Sequence, residues 1–213
     1  MVRFLHTSDW QLGMTRHFFS EGAQERYNQA RFDAVRALGK VAKKENCQFV
    51  AVCGDVFESN QVDRKTVARA FEALRGIPVP VYILPGNHDP LNEASVYVSN
   101  AFVQGKPANV TVVTDATPIQ IGEDIQLVGC PWMSKRMALN PFDDAVKSLE
   151  PVLGFTRIIL AHGINNELDK ALVKVLRKVN DVPGFVSDNL CLLQWLSRLT
   201  DKLLHHIHRF TYS

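Results

Sequence analysis

The sequence predicts an α/β fold built around a mainly parallel sheet. Three observations predict it. Apolar, β-branched runs alternate with amphipathic helical stretches through the N-terminal part of the chain. The links between them are short. Two of the runs, 48–53 and 157–161, are apolar without alternation, as strands covered on both faces are. A β-α-β-α-β series with short links closes as a right-handed parallel sheet.

Composition fits this class. A chain of 213 residues can bury a sizeable core as one large domain. It is 46% hydrophobic and 22% charged, an ordinary balance for a soluble chain. Lys+Arg number 24 and Asp+Glu 22, a formal net charge of +2 that neither favours nor excludes nucleic acid, because binding depends on where charges cluster. The cysteines, Cys47, Cys53, Cys130 and Cys191, are scattered and form no Cys-x-x-Cys pair. They read as buried thiols in a reducing compartment, and they argue against a disulfide framework or a thiolate zinc site. Residues 1–9 contain no signal-peptide core, and the apolar stretch 190–199 is short and carries Gln194 and Arg198. A soluble, cytoplasmic protein with no membrane partner is expected.

The elements follow in order. Residues 2–7 form a first strand that delivers Ser8-Asp9-Trp10-Gln11. Residues 24–44 form a helix, with Phe32, Val35, Leu38, Val41 and Ala42 at three- and four-residue steps. Residues 48–53 form the second strand and deliver Gly54-Asp55. Asp63 caps a helix that runs to about Arg75, with Val67, Ala70, Phe71 and Leu74 inward; Gly76-Ile77-Pro78 stops it. Residues 79–84 form the third strand and deliver Pro85-Gly86-Asn87-His88-Asp89. A short helix is expected over 92–102. Short strands at 110–113, 118–121 and 125–130 suggest an antiparallel portion or a second sheet. Helices follow at 142–149 and 167–179, on either side of a buried strand at 157–161 that delivers His162-Gly163. Residues 189–204 carry Leu192, Leu193, Leu196, Leu199 and Leu203 at helical spacing, after a Ser187 or Asp188 cap.

Asp9, Asp55, Asn87-His88 and His162 all follow strands. In an open α/β sheet such ends converge on one edge, where ligands bind. A lone Asp after a strand is usually a turn former, and a lone His is usually structural. Their coincidence at four strand ends reverses that reading. Carboxylates, an amide oxygen and imidazoles make a mixed site for Mn²⁺, Fe or Zn²⁺. A shared carboxylate can hold two cations about 3.5–4 Å apart and so serve hydrolysis of a phosphate ester.

Four stretches resemble the successive motifs of the calcineurin-like metallophosphoesterases: His6-Thr7-Ser8-Asp9-Trp10, Gly54-Asp55-Val56-Phe57, Gly86-Asn87-His88-Asp89 and His162-Gly163. The resemblance is closest to the DNA-repair exonuclease branch, the SbcD-type nuclease subunits, and covers roughly residues 1–170. It implies an α/β/β/α sandwich of two mixed sheets, shortened at its C-terminus. It implies two divalent cations, usually Mn²⁺, with Asp55 bridging, Asp9 on the first metal, and Asn87 and His162 on the second. His88 would protonate the leaving group or stabilise the phosphate, and Asp89 would orient the His88 ring.

The chain departs from that family at three places. The first motif usually reads Asp-x-His, and Gln11 stands where the His is expected. Its amide oxygen is a weaker donor for Mn²⁺ or Zn²⁺, so either Gln11 ligates poorly or the first metal is held loosely. Nuclease relatives often carry a His after the second-motif Asp, where this chain has Glu58. A Glu is not expected to replace that imidazole. The closing Gly-His-x-His is represented only by His206-Ile207-His208, without its Gly.

Two readings of the tail stay open. His206 and His208 supply the final ligands, one on each metal, or they form a solvated helix end on an unrelated tail. The expected organisation is a catalytic domain over 1–180 and a helical tail over 181–213. Candidate partners are DNA, an SMC-like ATPase subunit and a second copy of the chain. Arg16, His17, Trp132, Lys135 and Arg136 sit on loops that could hold a phosphate backbone or stack a base. The leading expectation is a DNA exonuclease. A small-molecule phosphodiesterase and an inactive partner-binding fragment are the alternatives.

Overall fold

A computed structural model describes residues 2–135, 156–163, 190–193 and 206–209. The first sheet begins with strand β1 (Arg3–Thr7). Helix α1 (Glu21–Lys44) leads to β2 (Phe49–Cys53), and helix α2 (Arg64–Arg75) leads to β3 (Val81–Leu84). A 3₁₀ turn (Val96–Val98) and helix α3 (Asn100–Gly105) follow, then β4 (Val110–Val112). The second sheet contains β5 (Ile119–Ile121), β6 (Ile125–Gly129), β7 (Thr156–Leu160) and β8 (Leu190–Leu193). Strand β9 (His206–Arg209) returns to the first sheet.

The sheet orders are β4-β3-β2-β1-β9 and β5-β6-β7-β8. In the first, β1 to β4 pair in parallel and β9 lies antiparallel on β1. In the second, β5 is antiparallel to β6, and β6, β7 and β8 are parallel. Both sheets are mixed, and the short strands at 119–121 and 125–129 do open a second sheet.

Strand alternation sorts the core into two layers. Leu5, Val50, Val52, Val81 and Ile83 face Phe32, Val35, Leu38, Val67, Phe71 and Leu74 of α1 and α2. Phe4, Phe49, Ala51, Cys53 and Leu84 face Leu127, Ile158 and Leu160 of the second sheet. Phe4 and Phe49 stack with ring centroids 4.8 Å apart. Each fully buried Phe or Leu contributes roughly 1.5–3 kcal/mol by removal from water. The first sheet is therefore covered on both faces, which is why β2 is apolar at every position.

The helices form where their caps dictate. Asp63 Oδ1 accepts from the Thr66 N–H at 2.8 Å and starts α2 where expected. Helix α1 begins at Glu21, three residues before the expected start at 24, because the Gln24 N–H already bonds the Ser20 carbonyl. It ends with Asn46 at φ 52°, a left-handed position that Asn tolerates. The helix expected over 92–102 is instead the 3₁₀ turn plus α3, because Ser95 and Ser99 each cap a separate start.

The tail differs from expectation. Leu190–Leu193 is a strand paired in parallel with β7, not the start of a helix. Leu-Cys-Leu-Leu is a continuous apolar run, which suits a buried strand as well as a helix, and β7 supplies the backbone partners. His206–Arg209 is likewise a strand on the edge of β1, not a helix end. The helices expected at 142–149 and 167–179 lie outside the described residues.

Candidate metal centre

The chain turns sharply after β1 and β2. Asp9 and Asp55 both have φ of 56° and Gln11 has φ of 42°. This left-handed region is uncommon outside Gly, and Asp enters it more readily than most residues. The two turns are laced together. The Asp9 N–H donates to the Gly54 carbonyl at 3.1 Å, Gln11 N–H to Asp55 O at 2.8 Å, and Leu12 N–H to Val56 O at 2.8 Å. Backbone strain is thus spent on placing two carboxylates side by side.

Asp55 is 3% exposed. Its Oδ1 accepts the His88 backbone N–H at 2.9 Å, and its Oδ2 lies 3.3 Å from His162 Nε2. Burial pushes the Asp55 carboxyl up, but the hydrogen bond and charge of His162 outweigh it and hold the group below its ordinary value. Burial raises Asp9, with the Ser8 hydroxyl hydrogen bond opposing.

His162 reaches this pair from β7 in the other sheet. Its Nδ1 lies 2.8 Å from the Cys53 carbonyl oxygen, which can only accept, so Nδ1 carries the hydrogen. Nε2 then points inward, 3.0 Å from Asn87 Oδ1. Burial lowers the imidazole, but its hydrogen bond to Asp55 and the charges of Asp55 and Asp9 raise it to about 9. The pocket attracts positive charge strongly.

Donor atoms of Asp9, Asp55 and His162 all lie within 4.8 Å of one another. Two carboxylates and an imidazole held through its far nitrogen suit a divalent cation, which would take the place of the Nε2 proton, and the carbonyl partner of Nδ1 is the outer contact such a ligand needs. Two glycines make the approach feasible. A Cβ at Gly54 would lie 2.3 Å from the His162 ring, and one at Gly86 would lie 2.1 Å from Asp55 Oδ1.

His88 sits beside the carboxylates with its ring half-buried. Its Nδ1 is 3.1 Å from the Glu58 carbonyl oxygen and 3.7 Å from Glu58 Oε1. The expectation that Asp89 orients the His88 ring is therefore corrected. Asp89 is 0% exposed, and both its oxygens serve the loop. Oδ1 accepts the Gly86 N–H at 2.8 Å; Oδ2 accepts the Phe57 N–H at 3.0 Å and the Tyr97 hydroxyl at 2.5 Å. Burial and the neighbouring Asp89 carboxylate push the Tyr97 phenol well above its ordinary value, so it remains a donor. Tyr97→Phe removes one of these three donors. It is expected to cost about 1–3 kcal/mol in chemical unfolding, because a buried carboxylate loses a hydrogen bond.

Sequence reasoning missed Tyr97, which follows the motif by eight residues and carries no local signal. It also discounted Glu58, whose position three residues after Asp55 could have pointed to His88. Gln11 is placed in the loop by its backbone, with its side chain half-buried. In the β9 register, His206 lies opposite His6 and His208 opposite Phe4, on the strand that delivers Asp9.

The sequence matches the family model described as calcineurin-like phosphoesterase over residues 2–212. The chain belongs to that family. That family is one of phosphoester hydrolases that use divalent metal ions. Among curated relatives, the SbcD component of the SbcCD nuclease of Rhodobacter capsulatus is 32% identical over 94 residues, 42% of this chain and 22% of that protein. The uncharacterized metallophosphoesterase YhaO of Bacillus subtilis is 27% identical over 123 residues, 55% of this chain and 29% of that protein. The matches thus span less than a third of the length of either relative. Two solved structures are similar to this chain in fold. TT1561 of Thermus thermophilus has a TM-score of 0.54 at 13% identity, covering 84% of this chain and 78% of that one. A dimetal phosphatase from Danio rerio has a TM-score of 0.51 at 14% identity, covering 90% and 80%.

Proposed function

We propose that this chain is a metal-dependent phosphodiester hydrolase that shortens DNA ends as an exonuclease. The convergence of Asp9, Asp55 and His162 from three strand ends carries the reading. Asp55 would bridge two cations, Asp9 would complete the first site, and Asn87 with His162 would form the second. Gln11, His206 and His208 are further candidate ligands. Mn²⁺ is the expected ion, with Fe or Zn²⁺ as alternatives. Bound there, a cation pair supplies Lewis acidity at the phosphate and lowers the pKa of the attacking water.

The protein's own groups do the rest. His88 keeps Nδ1 on Glu58, so Nε2 is the nitrogen free to give a proton to the leaving oxygen. Asp89 holds the turn that presents Asn87 and His88. The partial likeness to subunits of a nuclease supports a nucleic-acid substrate and a second subunit as a partner; in this reading the substrate is DNA, the partner is an SMC-like ATPase and the site of action is the cytoplasm. Among the described residues no helix is long and apolar enough to cross a membrane.

The test is direct. The Mn²⁺-loaded protein should cleave bis-p-nitrophenyl phosphate and shorten an end-labelled DNA duplex. Cleavage of the small ester with intact DNA would replace the nuclease reading by a small-molecule phosphodiesterase. His88→Ala should lower turnover by about 10²–10⁴-fold and leave Mn²⁺ uptake intact. Lost uptake would make His88 a ligand.

A further inference from the structure

Trp132 follows β6 in the second sheet, yet its contacts lie around the metal centre. Its N–H donates to the Pro85 carbonyl at 3.1 Å, and its carbonyl accepts the Leu91 N–H at 2.7 Å. These two contacts bracket the loop that carries Asn87 and His88. Its indole Nε1–H donates to the His162 carbonyl at 2.7 Å. One residue therefore grips both loops whose side chains meet at His162 Nε2 and Asn87 Oδ1, 3.0 Å apart.

We infer that Trp132 is a positioning residue that sets the spacing between Asn87 and His162. The inference rests on the proposed metal site. A tryptophan kept for packing needs only to cover its ring. Here the indole donor and both main-chain groups engage site loops, and the ring is only half-buried. The His162 imidazole is anchored at one end by Cys53. Its carbonyl precedes Gly163, which at φ 139° adopts a backbone conformation open to glycine. The indole holds that carbonyl. Loss of this contact lets the His162 backbone swing while its ring stays tethered, and Nε2 drifts from Asn87. Asp9 and Asp55 come from the first sheet, are laced by their own backbone bonds and do not depend on Trp132.

Trp132→Phe removes the donor and keeps most of the ring area. Titration with Mn²⁺ should show one equivalent bound about 10–100-fold more weakly, the range for loss of an outer contact to a metal ligand. The other equivalent and the melting temperature of the metal-free protein should stay near wild type. An isotherm identical to wild type overturns the proposal, as does equal weakening of both equivalents. A wild-type protein that takes up no Mn²⁺ overturns the metal reading itself and this inference with it. A second measurement needs no variant. The Trp132 indole N–H resonance of the ¹⁵N-labelled wild-type protein should shift and exchange more slowly on loading with diamagnetic Zn²⁺. An unchanged resonance in the loaded protein overturns the role.

Discussion

Asp55→Asn is expected to lower Mn²⁺-dependent hydrolysis of bis-p-nitrophenyl phosphate by about a thousandfold or more, equivalent to about 4 kcal/mol of barrier. The substitution is chosen because it spares the fold. An Asn amide oxygen can still accept the His88 N–H that Asp55 Oδ1 takes at 2.9 Å, so the loop stays closed. The charge does not survive. A donor amide would face His162 Nε2 in place of the carboxylate oxygen now 3.3 Å away. The proposed bridge loses its anion, and the negative potential that raises His162 loses its main source. Titration should show loss of both Mn²⁺ equivalents, with near-wild-type circular dichroism. Retention of one tight equivalent would mean that Asp55 serves a single cation and does not bridge.

Gly86→Ala is expected to disable the site nearly as completely without touching a charged group. The added Cβ would lie 2.1 Å from Asp55 Oδ1 and 2.5 Å from the Asp55 backbone nitrogen. Neither neighbour can yield freely. Asp55 is pinned by the Gln11 N–H to its carbonyl and by the His88 N–H to its carboxylate. The loop bearing Asn87 and His88 must move instead. Displacement of about 1 Å in a reacting group costs around 10²-fold in rate. The readout is kcat together with Mn²⁺ affinity, both falling. Gly122→Ala is the control: nothing lies within 4 Å of its Cβ, although its φ of 66° costs some stability. Equal activity losses in the two variants would show that general destabilisation, not crowding at Asp55, is responsible.

Much of this was readable in the chain. Apolar runs ending in Asp9, Asp55, Asn87 and His162 are local patterns, and the α/β rule places such ends on one edge. Asp63 was visible as a cap for the same reason. What was hidden depended on contacts across the fold. Asp89 looked like the partner of His88 because it is adjacent, but adjacency does not say which way a side chain turns. Its carboxylate goes to Gly86, Phe57 and Tyr97, and Glu58 takes its place against the ring. The tail misled for a different reason. Leucines at helical spacing also suit a buried strand over the short stretch Leu190–Leu193, and only pairing with β7 decides between them. Trp132 was legible only as a ring that could stack a base, because its bond to the His162 carbonyl joins residues 30 apart in the chain.

The His162 contacts bear on how the protein is made. Its partners Cys53 and Asn87 lie 109 and 75 residues upstream. A growing chain emerging from the ribosome completes β1, α1, β2, α2 and β3 long before residue 162 exists. The parallel strands β1 to β4 can therefore pair with Asp9 and Asp55 in place while the centre lacks its imidazole and β9 has yet to join the edge of β1. Closing so long a loop is entropically slow, so the imidazole arrives late. A cation supplied at that stage would favour the docked form by mass action. Metal availability during synthesis would then influence yield as well as activity.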